Sequence, residues 1–126
     1  MSSPNSASFD FTTQLKAIPL KNERAEVLES GEGFLIIGVK LKYEGFMLIL
    51  SKALSMHKIK KYRIDGISLT IYNEIDGKRS VENLIDLLME RYKLTFFEAR
   101  GLICLYLNML MRRGIVAVAI RQGQGV

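Results

Sequence analysis

Hydrophobic and polar positions change their period about half-way along the chain. Residues 26–29 and 34–41 are rich in strand-forming side chains and flank Gly31-Glu32-Gly33, a pattern that predicts a β-hairpin. The stretch 43–56 is ambiguous, since Phe46 to Leu50 would suit a buried strand and Ser51 to Met56 a short helix, and it is read as a connection. Residues 58–64 mix Lys and Arg with Ile59, Tyr62 and Ile64, as expected for a third strand with one wet side at a sheet edge.

From Asp65 onward the period becomes helical. Asp65 is placed to cap a helix carrying Ile67, Ile71 and Ile75, which Asp76-Gly77 stops. Ser80 can cap the next, whose stripe of Val81, Leu84, Ile85, Leu88 and Tyr92 lies opposite Glu82, Asp86 and Glu90. Thr95 and Glu98 form a capping box that opens a third helix running to Arg113, where Gly114 ends it. Residues 115–120 return to a strand pattern. Residues 1–13, Ser-rich with Pro4 and Asn5, have no apolar period and read as a disordered tail. The remainder, 14–126, reads as one domain of α+β class. The expected architecture is winged-helix-like, with a small antiparallel sheet of about three strands followed by three helices.

Composition narrows the function classes. The 126 residues are 48% hydrophobic and 25% charged, which suits a single-core globular domain. No apolar run reaches the roughly 18 residues of a membrane span, and nothing near Met1 has the form of a secretory signal. The cytoplasm is the expected compartment, with no membrane partner. A net charge of +5 favours acidic partners of any class.

Catalytic chemistry finds no support in the residues. Cys104 sits within the apolar run Leu102 to Leu107, a setting for an inert packed thiol. With His57 the sole histidine and Cys104 the sole cysteine, no zinc ligand set is at hand. Gly31-Glu32-Gly33 lacks the spacing and the Lys of a phosphate loop. Asp65, Asp76 and Glu98 are better explained as caps and turns than as acids and bases. Thus no catalytic residue, metal or cofactor is expected.

The ordered set Ile64-Asp65, Ile71-Tyr72 and Ile75-Asp76-Gly77-Lys78-Arg79-Ser80-Val81, continued by Leu84, Leu88, Tyr92, Leu110, Gly114 and Ile115, resembles the PqqD family of peptide recognition elements. The likeness covers residues 58–118. Tyr72 stands where relatives often carry Trp, Ser68 where they often carry Gly, and the connection after Leu41 is longer than in the shortest members. The resemblance implies a non-catalytic adaptor that binds the leader of a ribosomally made precursor peptide. It would present that peptide to a modifying enzyme, a radical S-adenosylmethionine protein in the pathway to pyrroloquinoline quinone. Binding would proceed by β-augmentation at residues 58–64.

The rival class is a winged-helix DNA-binding regulator. With Ala99, Ile103, Tyr106 and Leu110 on the core, a turn of about 100° per residue leaves Gly101, Cys104, Leu105, Asn108, Met111 and Arg112 outward. Only Asn108 and Arg112 resemble base readers, so sequence-specific nucleic-acid binding is not expected. An apolar cleft fits better, although a homodimer contact would also explain that face. The expected peptide-binding residues are Lys58, Lys60, Tyr62 and Arg63 on the edge strand, with Leu105, Met109 and Arg112 on the last helix.

Overall fold

The computed structural model describes residues 14–40 and 59–119. The elements run β1 (Ile18–Lys21), β2 (Ala25–Gly31), β3 (Phe34–Lys40), β4 (Ile59–Asp65), α1 (Gly66–Glu74), α2 (Val81–Tyr92), α3 (Phe96–Arg112) and β5 (Val116–Ala119). This is an α+β fold, with a small antiparallel sheet followed by three helices. The expected tail 1–13, the connection 43–56, His57, Lys58 and Ile120 lie outside the described residues.

The predicted hairpin is β2 and β3. Gly31 pairs with Phe34, so the connection is Glu32-Gly33, and Gly33 adopts a φ of +82° that a side chain would resist. Among the described residues, sheet order β2-β3-β4 leaves β4 on an edge, as its mixed pattern suggested. A second, two-stranded sheet pairs β1 with β5. Strand β1 was not anticipated, because Pro19 at its centre masks the strand signal; a two-stranded ribbon is all edge and accepts a proline.

Helix starts follow local chemistry, with one correction. Ser80 Oγ accepts from the Asn83 N–H at 3.1 Å while Asn83 Oδ1 accepts from the Ser80 N–H at 2.9 Å, a reciprocal box opening α2. Thr95 and Glu98 form the same arrangement at α3. Asp65 occupies the N-cap position of α1, but its side chain caps nothing. The backbone passes through a left-handed φ of +59° at Gly66, and the Asp65 carboxylate accepts from Arg63 Nε at 3.2 Å instead. Between α1 and α2, Asp76 Oδ1 accepts from the N–H groups of Lys78 and Arg79 at 2.9 and 2.8 Å, ordering the turn. Those hydrogen bonds, with the Arg79 guanidinium, hold its carboxyl below the ordinary value of 3.8.

One hydrophobic cluster joins the sheet and the helices, with Ile37, Val39 and Ile64 meeting Ile71, Val81, Leu84, Ile85 and Leu88. The last helix contributes Ala99, Ile103, Leu107 and Leu110. Leu107 is completely buried and takes the place expected of Tyr106, which lies half-buried at the margin. The reason is angular: successive buried positions every fourth or third residue centre the stripe between Ile103 and Leu107, and Tyr106 falls to one side. Tyr92 also leaves the expected stripe. It is 38% exposed, and its hydroxyl lies 2.9 Å from Thr70 Oγ1, tying α2 to α1. Among the described residues no single helix is long and apolar enough to cross a membrane.

Candidate functional site

Because among the described residues β4 borders β3 on one side alone, alternate residues along its other side direct N–H and C=O groups outward, the template that strand addition uses. Its side chains divide between two faces. Register pairs Ile64 with Leu35, Tyr62 with Ile37 and Lys60 with Val39, so these three share the face that carries the buried core residues. Arg63 pairs with Ile36 and Lys61 with Gly38 on the opposite face.

On the core face, Tyr62 is half-buried and the guanidinium carbon of Arg113 stands 5.0 Å from its ring centre. Arg113 is the C-cap of α3, and the turn beyond it is fixed: Asn22 Nδ2 donates to the Gly114 carbonyl at 2.8 Å, and the Ile115 N–H to Leu110 O at 2.9 Å. Helical geometry places Met109, Tyr106 and Leu102 in line with Arg113, at intervals of four, three and four residues. All three are half-buried against the core margin. A strip of apolar surface therefore runs along α3 toward the edge strand and ends at the Tyr62–Arg113 contact.

The opposite face is built differently. A Cβ added to Gly38 would come within 2.6 Å of Leu28 Cδ1 and 3.0 Å of Ile59 Cγ2, so side chains from β2 and β4 meet over the glycine backbone of β3. Beside them lies an open concavity of about 520 Å³ lined by Leu28, Glu29, Ile36, Lys61, Tyr62 and Arg63. Arg63 stacks 4.3 Å over the Phe34 ring and pairs with Asp65. This concavity spans the sheet from β2 to β4, and the helix-side strip lies across the other face of β4.

Charge separates the two edges of the sheet. Strand β4 carries Lys60, Lys61 and Arg63, whereas β2 carries Glu26 and Glu29. An acidic strand would be attracted to the β4 edge and repelled from β2.

Of the expected site residues, Lys60, Tyr62 and Arg63 lie along the edge but on two faces, and Lys58 lies outside the described residues. Met109 falls on the helix strip in line with Arg113. Leu105, 58% exposed, and Arg112 lie on the side of α3 turned away from the core. Sequence reasoning missed Lys61, Leu102, Tyr106 and Arg113. The signal for the last three was present, since they share one helix stripe with Met109; what was lacking was the direction in which β4 lies.

Among the described residues no group of three or more His, Cys, Asp or Glu is placed to hold a metal ion. Cys104 is partly buried in α3. No family model, curated protein or solved structure matches the chain.

Proposed function

We propose that this chain is a non-catalytic peptide-binding adaptor, which takes an extended precursor peptide as an additional strand on β4 and presents it to a modifying enzyme. The observation that carries the reading is the polarity of the sheet: a basic free edge on β4 against an acidic edge on β2. The PqqD resemblance of residues 58–118 points the same way, and by that analogy the partner is a radical S-adenosylmethionine enzyme or another peptide-modifying enzyme.

Strand addition makes a definite demand on the peptide. Its side chains must alternate between the two faces of the extended sheet. Those on one face meet Lys61 and Arg63, which favour Asp or Glu. Those on the other meet Tyr62, Met109 and the strip of α3, which favour aliphatic or aromatic groups, with Lys60 at one end of the strand. The preferred ligand thus alternates acidic and apolar residues. Main-chain hydrogen bonds provide affinity that depends little on sequence, and the two flanks provide choice.

DNA reading has less support. The exposed positions of α3 are Phe97, Glu98, Gly101, Leu105 and Arg112, a set with one cation and one acid. A groove-reading helix presents more hydrogen-bonding and basic side chains than this.

The test is an anisotropy titration with a labelled peptide alternating Glu and Leu. Lys61→Glu with Arg63→Glu should weaken binding chiefly at low salt, whereas Tyr62→Pro should weaken it at every salt concentration. Circular dichroism must show each variant folded. Loss on Glu26→Lys with Glu29→Lys, and none on the β4 variants, would overturn the reading.

A further inference from the structure

The face of α3 turned away from the core is not accounted for by the peptide edge. It carries Leu105, 58% exposed, and Phe97, 71% exposed, on a helix whose other side is fully engaged in the core. Gly101 lies between them. A glycine inside a helix costs stability relative to alanine, and an added Cβ at this one would meet nothing within 4 Å, so no contact within the described chain explains it.

Glu98, Leu105 and Arg112 recur every seven residues and lie within about 20° of one line along the helix. Leu105 is midway between the charges. Glu98 uses Oε1 to cap the Thr95 N–H, which leaves its second oxygen for a partner. Arg112 is exposed and has no ion pair among the described residues. A face with a central apolar residue, an acid on one side and a base at the same distance on the other is complementary to itself when turned end for end.

From this we infer that α3 pairs antiparallel with the α3 of a second copy of this chain about a two-fold axis at Leu105. Leu105 then meets its own symmetry mate. Glu98 of each copy faces Arg112 of the other, about 10 Å on either side of the axis, giving two ion pairs per dimer. Gly101, one turn from the axis, lets the helix backbones approach. The seam borders the strip of Leu102, Tyr106 and Met109, with Met109 about 40° from Leu105 around the helix; the inference rests on Glu98, Gly101, Leu105 and Arg112 and stands without the peptide reading.

Sedimentation velocity on the full chain over a concentration series tests it. The wild-type chain should pass from monomer to dimer. Gly101→Leu, which the open space around Gly101 accommodates within a monomer, should weaken association by about tenfold or more, as should Arg112→Glu and Glu98→Lys singly. The arrangement makes a sharper demand: an equimolar mixture of the Glu98→Lys and Arg112→Glu chains should form a heterodimer, since every charge in it then faces its opposite. Should Glu98→Lys fail to fold for want of its cap, Arg112→Glu and Gly101→Leu, which leave that cap intact, still decide, each by weakened association. A chain monomeric at every concentration overturns the inference and leaves the face to a different protein. Dimers indifferent to Gly101→Leu and to charge reversal overturn it equally.

Discussion

Arg113 and Tyr62 meet where the last helix ends beside the edge strand, the guanidinium of one 5.0 Å from the ring centre of the other. Removing this contact should separate stability from binding. Arg113→Ala should cost the fold no more than about 1 kcal/mol, the usual worth of a partly exposed cation–π pair. It should nevertheless weaken peptide binding by opening the strip where it meets β4. Denaturation and peptide titration on the same variant check both halves; unchanged binding would detach Arg113 from the site.

Leu107 and Tyr106 are adjacent in sequence and opposite in role. Leu107→Ala should destabilise by about 2–5 kcal/mol, as truncation of a fully buried leucine does. Tyr106→Ala, at the margin, should cost less and should weaken peptide binding instead. Urea denaturation measures the first effect, and a larger loss from Tyr106 than from Leu107 would return the core to the register expected from sequence.

Helix caps give a comparison internal to the chain. Ser80→Ala and Thr95→Ala should each cost about 0.5–2 kcal/mol, because each removes the acceptor for a helix N–H. Asp65→Ala should cost less than either. Its carboxylate makes only a surface ion pair with Arg63, worth about 0–1 kcal/mol. Thermal melts rank the three, and an Asp65 effect equal to that of Ser80 would reinstate it as a cap.

These cases show where the sequence was informative. The α2 stripe, the hairpin and the Thr95–Glu98 box are local: a few neighbouring residues carry both the pattern and the contact that explains it. Strand β1 is not, since Pro19 breaks its pattern and its partner is β5, at the far end of the described chain. The same distinction holds in the site. The edge position of β4 could be read from its basic, half-apolar composition. The choice of helix residues could not, because Leu105 and Met109 stand only about 40° apart around α3, and the side on which β4 lies is set by tertiary packing.

Whether β4 is the docking edge is read from backbone amide chemical-shift mapping during titration with an alternating Glu–Leu peptide. Docking on β4 should perturb the amides along β4 and at Leu102, Tyr106, Met109 and Arg113, with slowed amide exchange at the outward-facing residues of β4 and no change in β2. Perturbations confined to β2 or to α2, sparing both β4 and α3, would contradict it.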